Sequence, residues 1–214
     1  MKLFLDTADV ESIRRANDTG LLDGVTTNPA KVAETGRKFQ EVIKEICSIV
    51  SGPVSAEAVA DKAEDIIREA EKLAAIAANV VNKVPMTVEG LKAARILEEK
   101  GIPVNVTMIF SPDQALLAMK TKARFVSIVL SRLDKMGVNS LALVEDSVRI
   151  KQNYGFTSGI LAASIKTRLS VLDCMRAGVD IISIPESLFF QLFEHPLTTQ
   201  GLMEFDSLWS KVRK

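Results

Sequence analysis

Lys83 stands alone inside the apolar run of VVNKVPMT. An ammonium loses its hydration when buried, so a lysine in a strand-like stretch has three outcomes: its head escapes along the stem, it pairs with a carboxylate, or it becomes neutral. The third outcome makes a nucleophile. A neutral lysine amine attacks a ketone to form a Schiff base, which lets an enzyme make or break the adjacent carbon–carbon bond without a metal.

Such chemistry needs partners, and the elements that would carry them recur along the chain. The strand candidates are KLFLDT, GVTTNP, PVSAEAV, VVNKVP, VNVTMIF, FVSIVL, GILAASI and VDIISIP, with helical patterns such as EDIIREAEKLAAIAA and LALVEDSVRIKQNY between them. The strands are apolar on both parities, as strands covered on both faces must be, so the sheet should be parallel. Eight βα units at a spacing of about 25 residues predict an α/β fold, a closed (β/α)8 TIM barrel, compact beside the roughly 250 residues usual for it. A doubly wound open sheet is the alternative. No Pro/Gly/Ser-rich linker divides the chain, which predicts a single barrel domain over residues 1–214, with 198–214 as an appended C-terminal helix. Leu202, Phe205, Leu208 and Trp209 fall on a helical period there, so that helix must cover its own barrel or a neighbouring subunit.

Barrel enzymes place chemistry at the C-terminal strand ends, and side chains two apart on a strand share a face. With Lys83 inward, the corresponding positions are Asp6 on the first strand, Thr26 and Asn28 on the second, Ser55 and Glu57 on the third, Asn105 and Thr107 on the fifth, and Ser164 and Lys166 on the seventh. Singly, each has an ordinary reading: Asp6 or Asn28 caps the following helix, and Thr107 is a good strand residue. Together they are costly to bury without water, substrate or one another, which predicts an active site. Lys83 would attack a ketose carbonyl, Asp6 would take the proton of the sugar hydroxyl, and Glu57 with Thr107 would hold a water that shuttles protons. Asn28 and Asn105 would fix the hydroxyls of a bound three-carbon unit.

Composition removes other classes. Lys plus Arg and Asp plus Glu number 27 each, so net charge gives no support for nucleic acid or an anionic membrane surface as partner. No stretch approaches the roughly 20 apolar residues of a membrane span, and the opening KLFLDT lacks the marks of a signal peptide, so a cytoplasmic protein is expected. Cys47 and Cys174 form no close motif, and His195, the only histidine, argues against a zinc site. No phosphate-binding or dinucleotide-binding glycine motif occurs, and Asn105-Val106-Thr107 matches a glycosylation sequon only inside a buried strand.

DTADV, GVTTNP, SAE, NKVPMT, NVTMIFS, RLD, ILAAS and HPLT resemble, in order and spacing along essentially the whole chain, the small transaldolases and their fructose-6-phosphate aldolase relatives. That resemblance implies a (β/α)8 barrel without metal or cofactor, Lys83 as the Schiff-base lysine, Asp6 as the aspartate of the opening motif, and Glu57 and Thr107 as the water-holding pair. It gives Asn28 and Asn105 substrate contacts, and Glu57 resembles the transaldolase branch, since the aldolase branch carries glutamine there. It also implies homo-oligomers, pentamers or decamers, assembled through the terminal helix. The expected ligand is a small sugar phosphate.

The chain departs from the family pattern in places. SIVLSR stands where transaldolases have S-P-F-V-G-R, so Val129 replaces the aromatic while Ser127 and Arg132 remain to face an anion. ASIKT puts Lys166 where transaldolases have arginine, exchanging a planar fork for a point charge beside Ser164. TNPAKVA carries Lys31 where an apolar residue is commoner, a residue that reads more readily as a solvated loop lysine, and Asn82 precedes the nucleophile where valine is usual. Three changes around one anion pocket raise a sulfonate, as in 6-deoxy-6-sulfofructose, as an alternative terminus to phosphate. The rival functions are a lyase releasing dihydroxyacetone and a barrel that binds sugar phosphates without turnover.

Overall fold

The computed structural model describes residues 1–212, which form a closed parallel barrel wrapped by helices. Its order is β1 (Lys2–Asp6), α1 (Val10–Asn17), β2 (Gly24–Thr26), α2 (Pro29–Glu34), α3 (Phe39–Ile49), β3 (Val54–Glu57), α4 (Ala63–Ala74), β4 (Val80–Pro85), α5 (Val88–Glu99) and β5 (Val104–Ile109). There follow α6 (Pro112–Lys120), β6 (Phe125–Val129), α7 (Leu130–Lys135), α8 (Ser140–Tyr154), β7 (Gly159–Ala163), α9 (Arg168–Ala177), β8 (Ile181–Ile184), α10 (Glu186–Gln191) and α11 (Pro196–Val212). Each strand pairs in parallel with its neighbour, and β1 with β8 closes the ring. Every strand expected from the sequence forms, and the open-sheet alternative is excluded by the β1–β8 pairing.

The two faces of the strands serve different layers. Outward residues such as Leu5, Val25, Val84, Val106 and Ile182 pack with helix residues including Ile13, Ile46, Ile66 and Leu97. Inward residues near the strand starts, Phe4, Val81, Phe125, Leu161 and Ile181, form a separate apolar plug that closes the barrel floor. Phe4 meets Phe125 edge to face with centroids 5.9 Å apart, a favoured aromatic geometry. The plug depends on Gly24, because a Cβ there would sit 2.6 Å from the Phe4 ring. Chemistry is thereby confined to the opposite, C-terminal end of the barrel.

Short loops with polar caps start several helices just beyond the strand ends. Asp9 caps α1, Asn28 caps α2, Thr87 caps α5 and Ser111 caps α6, each accepting a bond from a backbone N–H of the first turn. Gly90 in α5 is needed for another reason: a Cβ would fall 2.0 Å from the Pro85 carbonyl, so only glycine lets α5 seat against the end of β4. Both thiols are inert, since burial pushes Cys47 up to about 11 and Cys174 up to about 12.

The terminal helix begins at Pro196, before the expected residue 198, and is followed to Val212; residues 213 and 214 of the expected span lie outside the described residues. None of its described side chains is buried, and Leu202, Phe205 and Leu208 are 58%, 69% and 57% exposed. It therefore does not pack into its own barrel. Among the described residues no helix is long and apolar enough to cross a membrane.

One buried residue conflicts with its surroundings. Asn82 is fully buried on the face of β4 opposite Lys83, toward the helix layer, and neither its Nδ2 nor its Oδ1 meets a protein hydrogen-bonding group. Its register neighbours on β3 and β5 are Ala56 and Val104, which offer only apolar side chains. An unpaired buried amide costs about 1–3 kcal/mol, so Asn82→Val should stabilise the fold by that amount and raise the thermal unfolding midpoint by several degrees in calorimetry. A lowered midpoint would show that the amide is paired in solution.

Candidate active site

A cavity of about 360 Å³ opens at the C-terminal end of the barrel. It is lined by Asp6 from β1, Thr26 from β2, Glu57 from β3, Lys83 from β4, Asn105 and Thr107 from β5, and Ser127 from β6. Asn28, Arg132 and Ser164 line it from the loops and helix starts that follow their strands. Ten of the thirteen polar residues expected from the sequence therefore share one cavity, and Ser55 lies below it.

Lys83 and Glu57 are register partners on adjacent strands, and both point inward. The ammonium donates to Glu57 Oε2 at 3.1 Å and to the Thr27 carbonyl at 3.2 Å, with the two side chains only 13% and 21% exposed. Of the three outcomes open to this lysine, the structure shows the carboxylate pair. Glu57 is thus in direct contact with the amine as well as facing the cavity with Thr107, a pairing the sequence reading did not assign. Asp6 stands at the end of β1 and caps nothing; the helix cap is Asp9. Its Oδ1 lies 3.4 Å from the Thr26 hydroxyl and 3.7 Å from the Lys31 ammonium. Asn28 caps α2, accepting from the Lys31 N–H at 2.9 Å, and it also lines the cavity.

Below these groups runs a belt of buried hydrogen bonds. Ser127 donates to Asn105 Oδ1 at 2.6 Å, and Asn105 Nδ2 donates to Ser55 Oγ at 3.1 Å. Thr26 and Ser183 share a 2.6 Å hydroxyl pair. Both ends of the Asn105 amide are fixed by this belt, leaving one N–H for the cavity. Ser183 was not expected, because a serine in VDIISIP reads as an ordinary strand residue.

The far wall belongs to β6 and β7. Val129, Ser131 and Arg132 follow one another across the end of β6 into α7, with Ala163 and Ser164 beside them at the end of β7. In an eight-stranded ring β6 stands opposite β2, so the end of β6 and the start of α7 lie across the cavity from the end of β2. Two residues of the lining, Met108 and Ser164, have φ of 65° and 58°, a region that non-glycine side chains enter at a cost. Met108 marks a register shift between β5 and β6, and Ser164 ends the regular backbone of β7. Neither is a glycine or asparagine, so no sequence signal announced the backbone turn at either; Ser164 was expected as a site residue, whereas Met108 and Ser131 were not.

Two expected residues lie elsewhere. Lys166 is exposed and outside the cavity lining, because β7 ends at Ala163 and the turn at Ser164 breaks the strand parity on which its placement rested. Lys31 is not a member of the anion pocket either, and it is not a solvated loop lysine: it is half-buried, and its ammonium donates to the Asp6 carbonyl at 2.7 Å.

The family described as "Transaldolase/Fructose-6-phosphate aldolase" matches residues 3–214. A "Probable transaldolase" of Geobacter metallireducens is 51% identical, one of Geotalea uraniireducens 50% and one of Dictyoglomus turgidum 47%, each over 214 residues and the full length of both chains. Among solved structures, an orotidine 5'-monophosphate decarboxylase of Methanocaldococcus jannaschii, complexed with the inhibitor BMP, superposes with a TM-score of 0.59. At 16% identity over 86% of this chain and 87% of that one, the likeness shows the barrel fold alone. By the full-length family match and the half-identical relatives, the chain belongs to the transaldolase/fructose-6-phosphate aldolase family of enzymes.

Proposed function

We propose that this enzyme is a class I transaldolase that moves a dihydroxyacetone unit from a phosphorylated ketose to an aldehyde acceptor through a Schiff base on Lys83. The observation that carries this reading is the enclosed Lys83–Glu57 pair at 3.1 Å inside a cavity whose far wall holds Arg132. Glu57 is within reach to take the ammonium proton, which frees the amine to attack the ketose C2. Glu57 and Thr107 then serve the loss of water that turns the carbinolamine into an iminium. Asp6 takes the proton of the C4 hydroxyl, the C3–C4 bond breaks toward the iminium, and the aldehyde fragment leaves. The enamine that remains on Lys83 attacks the acceptor aldehyde, and the same steps run in reverse.

Three further points refine the reading. Glu57, where the aldolase branch carries glutamine, and relatives named probable transaldolases favour transfer over release of free dihydroxyacetone. Two of the three changes that suggested a sulfonate, Lys31 and Lys166, lie outside the cavity, so phosphate is the better-supported terminus and Val129 alone bears on the question. Self-association through α11 accounts for Leu202, Phe205 and Leu208, whose apolar surface has no place on the enzyme's own barrel.

Borohydride added with fructose 6-phosphate should leave a three-carbon adduct on Lys83, and Lys83→Met should abolish both adduct and turnover; retained turnover above about a thousandth of wild type would defeat the Schiff-base assignment. A sugar-binding barrel without turnover would give no adduct. Arg132→Ala should lower kcat/KM for fructose 6-phosphate by more than about tenfold, the loss expected from charge-assisted bonds worth about 1.5–3 kcal/mol each, and leave unphosphorylated fructose nearly unaffected. Equal losses on both sugars would remove the guanidinium from the anion site. Light scattering should report a mass several times the 23.3 kDa of one chain, and Leu208→Asp with Phe205→Asp should reduce it toward one chain. A wild-type monomer would leave α11 without this role.

A further inference from the structure

We propose that Lys31 is a positioning residue for Asp6, acting through it without touching substrate; the inference rests on the role of Asp6 as the base described above. Lys31 is the third residue of α2, and its N–H is the one that Asn28 caps at 2.9 Å. Helical side chains lean toward the N-terminus of their helix, so the Lys31 stem runs back toward the barrel mouth. Its ammonium arrives 2.7 Å from the Asp6 carbonyl and 3.7 Å from Asp6 Oδ1. The approach is from outside the catalytic cavity: Lys31 lines a second cavity of about 350 Å³, with Thr7, Asp9 and Thr35, whereas Asp6 lines the first.

Asp6 needs such a support. It is the last residue of β1, where the strand ladder ends, and among the described residues its carboxylate has one other polar contact, a long one of 3.4 Å from Thr26, whose hydroxyl is already paired at 2.6 Å with Ser183. Lys31 fixes the backbone at this point through the carbonyl and draws Oδ1 to itself by charge. Both contacts of the carboxylate fall on Oδ1, which leaves Oδ2 to receive the substrate proton. A base displaced by about 1 Å loses up to about a hundredfold in rate, so holding Asp6 acts on turnover more than on binding.

The test separates this role from a solvated lysine, from a substrate contact and from a purely structural one. Lys31→Met keeps the stem and removes the charge; it should lower kcat for fructose 6-phosphate on the order of tenfold with KM little changed, the scale of one charge-assisted contact. Borohydride trapping on Lys83 should persist in this variant, which also shows that the barrel is folded, and Lys31→Arg should restore most of kcat. In an Asp6→Asn background, itself slowed by about 10²–10⁴-fold as for loss of an acid–base group, Lys31→Met should cost nothing more. Unchanged kcat in Lys31→Met overturns the proposal, as does a KM that rises for fructose 6-phosphate but not for fructose, or an equal loss in the Asp6→Asn background. Absence of any wild-type adduct overturns the Schiff-base reading and this proposal with it, whereas trapping with unaltered kcat overturns this proposal alone.

Discussion

Enclosing an ammonium inside a barrel of apolar strands is the constraint on which the rest of this structure turns. An ion taken from water into protein costs several kcal/mol even after relaxation, and the cost is offset only by close, well-directed partners. Lys83 finds them in Glu57 on β3 and in the carbonyl of Thr27 just after β2. Both partners depend on register, since Glu57 and Lys83 face each other only because Val54 pairs with Val80 three residues earlier. A slip of one residue would turn Lys83 toward the helices and Asn82 into the barrel. Features remote from the chemistry then acquire a purpose. Gly90 lets α5 seat against Pro85 and so fixes the end of β4, while the Phe4–Phe125 contact closes the floor on which the polar groups rest.

Polar groups at the middle of the barrel are held by one another. Ser55, Asn105 and Ser127 form a continuous chain across β3, β5 and β6, and Thr26 and Ser183 join β2 to β8. Networks of this kind lock side chains into single orientations, which fixes the one Asn105 N–H left to the cavity. Above the belt, Asp6, Thr107 and Arg132 line the open cavity. The division between a paired belt and an open rim distinguishes what is structural here from what is left for a ligand.

The strands, the barrel and the cluster of polar strand ends were legible in the sequence because a period of two and a recurring βα unit are enforced along every strand. Lys83 stood out as a lone lysine in an apolar run, and Asp6, Glu57, Asn105 and Thr107 followed from the alternation once it was taken as inward. The argument stopped working where the strands stop: Ser164 leaves the β region, so parity gave the wrong place to Lys166. Ser183 and Ser55 belong to the belt, yet a small hydroxyl residue within a strand carries no mark of its partner across the ring. Met108 at φ 65° was hidden for the opposite reason, since no glycine signalled the turn. Lys31 was noticed, but its contact with Asp6 was not, because its reach depends on where α2 begins and how far a four-carbon stem extends, neither of which residue spacing encodes.

The residues by which this chain departs from its family's pattern are dispersed through the fold, and their positions assign them different kinds of effect. Asn82 lies in the helix layer behind Lys83 and does not line the cavity, so its consequence is for stability. Lys31 stands behind Asp6 and Lys166 on the outside, while Val129 alone lines the cavity, on the wall shared with Ser131 and Arg132. A branched aliphatic side chain in place of an aromatic shortens that wall and removes a flat edge without adding or removing charge. Any effect of these four changes on the cavity must therefore come from its shape around Arg132, because none of them places a new charge in the cavity itself.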